Sequence, residues 1–130
     1  MIWNEAKECM SRDELQNLQS ARLVKLVDRV YHNVEFYRKK MQQLGIEPGD
    51  IKGIEDITKL PFTTKNDLRD NYPFGLFAVP QSQIVRVHAS SGTTGKATVV
   101  GYTRKDISVW SECVARAFAQ AGLGRDDVIQ

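Results

Sequence analysis

Ile84-Val85-Arg86-Val87-His88-Ala89-Ser90-Ser91-Gly92-Thr93-Thr94-Gly95-Lys96-Ala97-Thr98-Val99-Val100-Gly101-Tyr102 is the stretch on which the fold turns. Ile84–His88 alternates and is rich in β-branched residues, which predicts a strand, and Ala97–Tyr102 predicts a second one. Between them, Ser90–Lys96 holds two Ser, two Thr, two Gly and one Lys in seven consecutive residues. Glycine lets a backbone turn sharply and lets amide N–H groups come close to a ligand. The hydroxyls add donors and Lys96 adds a positive charge. Together these are the parts of a cradle for a phosphate chain. A plain hairpin loop draws on the same residue types, but this density between two strands exceeds what a turn requires.

Spacing excludes two common phosphate loops. Gly92 and Gly95 are separated by two residues rather than the four of G-x-x-x-x-G-K-[ST], and Ala97 follows Lys96. That motif and the dinucleotide fingerprint G-x-G-x-x-G both open a helix at the loop. Here a strand follows, so no helix N-terminus supplies the anion site. What remains is a loop at the tip of a strand–loop–strand unit. It would fold over a triphosphate with amides, hydroxyls and one cation.

Upstream, the chain reads as helical. Ser11 and Glu14 form an S-x-x-E capping box. Leu15, Leu18, Leu23, Leu26, Val27, Val30 and Val34 then paint one helical face. Phe36, Tyr37, Met41 and Leu44 continue the pattern as a second helix, stopped by Gly45 with Pro48-Gly49. Ile51, Ile54, Ile57 and Leu60 predict one or two helical turns before Pro61, and Thr64 with Asp67 predicts a short helix over 65–71. Pro73–Pro80 is bracketed by prolines, so it is no interior helix. It reads as an extended, packed connection whose phenylalanines sit in the core. Downstream, Thr103 and Asp106 cap a long helix with the stripe Ile107, Trp110, Val114, Phe118 and Ala121, ended by Gly122 and Gly124. Trp110 reads as a core anchor. Asp127-Val128-Ile129-Gln130 reads as the start of a further strand. The resulting class is α/β: a helical region over 1–80, then the start of an α/β nucleotide-binding subdomain over 81–130.

Composition bounds the function classes. The chain has 130 residues, 42% hydrophobic and 26% charged, with a net charge of +2. That is globular composition, too mildly charged to indicate nucleic acid or a membrane surface. No apolar run spans a bilayer and the N-terminus lacks a secretory pattern, which predicts a cytoplasmic protein. Cys9 and Cys113 read as two reduced thiols. His32 and His88 are isolated, so no metal site is predicted. His88 sits just before the loop and is not assigned a catalytic role. Glu35 and Asp50 form no acid–base pair.

Three blocks carry a resemblance. Leu60-Pro61-Phe62-Thr63-Thr64-Lys65, Asp67-Leu68-Arg69-Asp70-Asn71-Tyr72-Pro73-Phe74-Gly75-Leu76 and Val87-His88-Ala89-Ser90-Ser91-Gly92-Thr93-Thr94-Gly95-Lys96 resemble the phenylacetate–CoA ligase branch of the adenylate-forming enzymes. One departure is Ala97, where such loops commonly carry proline. The resemblance implies the helical start, first strands and helix of the large N-terminal domain of such an enzyme, incomplete in 130 residues. It implies activation of an aryl carboxylic acid by ATP to an acyl-adenylate, then transfer of the acyl group to coenzyme A. Ser90, Ser91, Gly92, Thr93, Thr94, Gly95 and Lys96 would bind the ATP phosphates together with Mg2+. No catalytic residue is assigned, and these residues alone are expected to be inactive. The implied partners are the aryl acid, ATP and CoA, with a homodimer compatible with the apolar helix faces. Two other readings stand beside it: a self-associating binding or assembly module, and an adenylating enzyme that loads a carrier protein. The intact mass of the native gene product separates the module from the enzyme.

Overall fold

Ser11 opens the longest helix by the box its sequence predicts. Its hydroxyl accepts the Glu14 N–H at 3.2 Å, and the Glu14 carboxylate accepts the Ser11 N–H at 2.9 Å. The Ser11 N–H, and then the Ser11 hydroxyl donating to the same carboxylate at 2.8 Å, hold the Glu14 carboxyl below its usual range. The computed structural model describes residues 1–90, 97–124 and 126–128. A one-turn helix, α1 (Glu5–Glu8), precedes α2 (Arg12–Asn33) and α3 (Glu35–Gln43). Gly45, at φ 67°, ends α3. The Gly45 N–H reaches the Gln42 carbonyl and the Ile46 N–H reaches the Met41 carbonyl. This is the paired bonding of a left-handed C-terminal cap, which glycine adopts without a Cβ clash.

The core lies where α2, α3 and the following segment meet. Val27, Met41 and Ile51 are buried there, with Leu23, Tyr31, Ile46 and Leu60 packed against them. A 3-10 turn forms at Pro48–Asp50, and the isoleucine run forms another over Ile54–Lys59. Helix α4 (Lys65–Asp70) carries its own box between Thr64 and Asp67. Lys40 ties that cap to α3: its ammonium donates to the Asp67 carboxylate and to the Phe62 carbonyl, both at 3.0 Å. The Thr64 amide and then Lys40 hold Asp67 below the usual carboxylate range.

Strand β1 (Ile84–Ala89) pairs antiparallel with β2 (Val99–Thr103), opposing Arg86 to Tyr102 and His88 to Val100. The register shifts between Ile84 and Arg86, which marks a β-bulge. Helix α5 (Arg104–Gln120) follows directly, capped by Thr103 and Asp106 and closed by Gly122 at φ 89°. The Glu112 carboxylate on α5 accepts from Trp3 Nε1 at 3.1 Å and Asn4 Nδ2 at 2.7 Å, joining the N-terminus to the last helix.

Several expectations need correction. Pro73–Pro80 begins with turns rather than an extended run: the Gly75 N–H bonds the Asn71 carbonyl and the Phe77 N–H the Phe74 carbonyl. Phe74 is half exposed, so only Phe77 packs inward. Leu26 and Leu44, both on predicted apolar faces, are exposed. The α5 stripe keeps its spacing, and Trp110, Val114 and Phe118 on it are all exposed. Trp110 is therefore no core anchor. Asp127 and Val128 form no strand, and Ile129 and Gln130 lie outside the described residues. Val85 and Val87 on β1 are exposed as well.

Candidate functional site

A two-stranded ribbon is marginal on its own in water, so what holds β1 against β2 decides whether a loop between them has a fixed base. The root of the loop is built by Ser90 and Thr98. The Ser90 N–H donates to the Thr98 carbonyl at 3.1 Å. The two hydroxyl oxygens lie 2.6 Å apart, and the Thr98 N–H reaches Ser90 Oγ at 3.3 Å. Ser90 is thus committed to the root, extending the ladder beyond β1. The other six residues assigned to phosphate binding, Ser91, Gly92, Thr93, Thr94, Gly95 and Lys96, lie outside the described residues.

Both faces of the ribbon are braced just below that root. On one face the His88 ring lies 5.1 Å from Tyr102 and 5.4 Å from Trp110, both edge-on. Trp110 stacks on Tyr102 at 5.3 Å with an interplanar angle of 23°. Sequence reasoning placed none of these rings together. Tyr102 sits opposite Arg86, so its contact with His88 is a diagonal across the strands, within the reach of aromatic side chains. On the other face Phe77 fills the space that a side chain at position 101 would need. A Cβ on Gly101 would stand 2.5 Å from Phe77 Cζ. Gly101 is there for this close approach. Gly101→Ala is expected to destabilise the protein by about 1–3 kcal/mol, as overpacking does, and to be partly rescued by Phe77→Leu. A melting temperature unchanged in Gly101→Ala would refute the packing.

Electrostatics around the root are simple. Thr103 donates its hydroxyl to Asp106 at 2.7 Å and its N–H at 2.8 Å, and these bonds hold Asp106 below the usual carboxylate range. Glu112 is held low chiefly by Arg116, with Asn4 and Trp3 contributing. Among the described residues no group of three or more His, Cys, Asp or Glu is placed to hold a metal ion. Cys9 and Cys113 are both free and exposed. Among the described residues no helix is long and apolar enough to cross a membrane.

The chain is 52% identical over 122 residues to phenylacetate–coenzyme A ligase of Thermus thermophilus, covering 94% of this chain and 27% of that protein. The enzyme of the same name from Escherichia coli is 53% identical over 122 residues, covering 94% and 28%. That from Aromatoleum evansii is 53% identical over 125 residues, covering 96% and 28%. No family model matches the chain. Among solved structures, 2-hydroxyisobutyryl-CoA ligase in complex with 2-HIB-AMP and CoA in the thioesterification state aligns with a TM-score of 0.87 and 32% identity, covering 97% of this chain and 28% of that one. An open conformation of the same ligase, also with 2-HIB-AMP and CoA, gives 0.84 and 30%, covering 97% and 30%. The fold matches the N-terminal part of adenylate-forming CoA ligases. The chain spans a little over a quarter of the length of the curated relatives it matches.

Proposed function

We propose that this chain, a homologue of the N-terminal portion of the phenylacetate–CoA ligases, serves as the phosphate-loop segment of an AMP-forming aryl acid–CoA ligase. The observation that carries the reading is identity above one half across 94% of the chain, in a segment whose Ser90–Thr98 bonding makes a closed root for a phosphate loop. A carboxylate is a poor electrophile, and joining it to AMP gives it a good leaving group. The loop's task is to hold the β- and γ-phosphates so that the α-phosphorus lies in line with the attacking carboxylate. Gly92 and Gly95 would let amides approach those oxygens, Thr93 and Thr94 would add hydroxyl donors, and Lys96 would supply the cation. Mg2+ would come with the ATP and neutralise phosphate charge.

The finer parts of the reading rest on the similarity to phenylacetate–CoA ligases. The acid is an aryl carboxylate, the acceptor is CoA, and the compartment is the cytoplasm, where ATP and CoA are held and free thiols such as Cys9 and Cys113 persist. The functional division falls near residue 80, between the helical region and the strand–loop–strand–helix. ATP–pyrophosphate exchange by the full-length gene product, run over a panel of aryl acids with and without CoA, tests it. Acid-dependent exchange, and CoA consumption with an aryl acid, are expected. Exchange without any CoA consumption would point instead to a carrier-protein acceptor, and no exchange with any acid would overturn the reading. The residues of this chain alone are expected to give no turnover.

A further inference from the structure

The rings of His88, Tyr102 and Trp110 meet in one cluster, and what the three share is position. They come from the three consecutive elements that carry the loop, namely β1, β2 and α5. His88 is two residues before Ser90, and Tyr102 is four residues after Thr98. The rings meet at 5.1 to 5.4 Å in two edge-on contacts and one stacked contact. These geometries suit the quadrupoles of aromatic rings and confer direction as well as attraction.

We propose that His88, Tyr102 and Trp110 are positioning residues that fix the separation and twist of β1 and β2 at the Ser90–Thr98 root, and through it the affinity of the loop for the ATP phosphates. The proposal rests on the reading of Ser90–Lys96 as an ATP phosphate loop. Bonds between Ser90 and Thr98 close the root but leave it free to roll about the strand axis. The ring cluster on one face, opposed by Phe77 beneath Gly101 on the other, removes that freedom. A cradle of amides is effective only when its donors converge before the phosphate arrives, since reorganisation on binding is subtracted from affinity. Trp110 carries the restraint into α5.

The test uses the full-length protein and the initial rates of ATP–pyrophosphate exchange. His88→Ala and Trp110→Ala are each expected to raise KM for ATP about five- to tenfold, with KM for the acid unchanged. His88→Phe and Trp110→Phe keep a ring in place and are expected to restore KM for ATP to within about twofold. Phe118→Ala, on the same exposed stripe but away from the cluster, is expected to leave it unchanged. A purely structural role would lower the melting temperature in both alanine variants without moving KM for ATP, and that result overturns the proposal. So does an equal rise in both KM values. Should Trp110→Ala fail to fold, His88→Ala decides, because its side chain is exposed on a strand. Thr94→Ala with Lys96→Ala runs alongside. If that pair loses exchange while the ring variants keep their KM for ATP, the positioning proposal alone fails. If that pair is unaffected, the ATP reading of the loop fails with it.

Discussion

Replacing Thr94 and Lys96 together by alanine is expected to lower ATP–pyrophosphate exchange by the full-length protein by about a hundredfold or more. The size follows from what the two side chains supply. Lys96 is the one cation in the seven-residue stretch Ser90–Lys96 and Thr94 one of its two threonine hydroxyls. The phosphate chain gathers negative charge on the bridging oxygen as pyrophosphate leaves, so donors aimed there gain strength in the transition state rather than in the ground state. A preorganised donor of this kind is worth about a hundred- to a thousandfold in rate. Lysine also contributes as a point charge that no neighbouring hydroxyl replaces. The kinetic signature should be a fall in kcat with a rise in KM for ATP and no change in KM for the acid. Stability should be unaffected, because the buried cluster of Val27, Met41 and Ile51 forms between α2, α3 and the segment after them. Exchange that survives the double substitution would show that Ser90–Lys96 is only a connection between strands.

How much of this was legible in the sequence depends on how local each signal is. The boxes at Ser11–Glu14, Thr64–Asp67 and Thr103–Asp106 all formed as read, because each is a reciprocal bond across three residues and needs no tertiary partner. Gly45 and Gly122 ended their helices for an equally local reason: both adopt a positive φ. The α5 stripe forms as a shared face, but Trp110, expected as a core anchor, is exposed on it. Periodicity tells which residues point together but not what covers them, and among the described residues nothing covers Trp110, Val114 and Phe118 fully. Pro73–Pro80 failed differently. Its prolines excluded a helix, yet they did not choose between an extended run and the turns closed by Asn71 and Phe74. At the candidate site the loop was conspicuous by composition, whereas its support was not. The pairing of Ser90 with Thr98, and the meeting of His88 with Tyr102 and Trp110, depend on strand register. Register is a property of two segments at once and leaves no mark in either alone.

Met41→Ala is expected to lower the stability of the protein by about 3 kcal/mol, within the 2–5 kcal/mol range for deleting a buried methionine. Met41 is 1% exposed, at the centre of the cluster it forms with Val27 and Ile51. It also stands one turn before the Gly45 cap, where its carbonyl accepts the Ile46 N–H at 2.9 Å. Backbone bonding survives the substitution, so the loss comes from the side chain: dispersion contacts vanish and the cavity collapses only in part. The consequence is large because the core is small. Among the described residues the buried hydrophobics are Val27, Val34, Met41, Ile51 and Ala119, and a domain's whole stability is only about 5–15 kcal/mol. Two controls isolate the cause. Met41→Leu conserves volume and is expected to lose less than about 1.5 kcal/mol. Leu44→Ala lies just beyond the end of the same helix but is 57% exposed, and it should stay within about 0.5 kcal/mol of the parent, as surface changes do. Urea unfolding followed by far-ultraviolet circular dichroism reads all three. If Met41→Ala and Leu44→Ala unfold at the same urea concentration, the packing of α3 against α2 and Ile51 does not hold the helical region together. The platform from which the strands and their loop project would then need another source of rigidity.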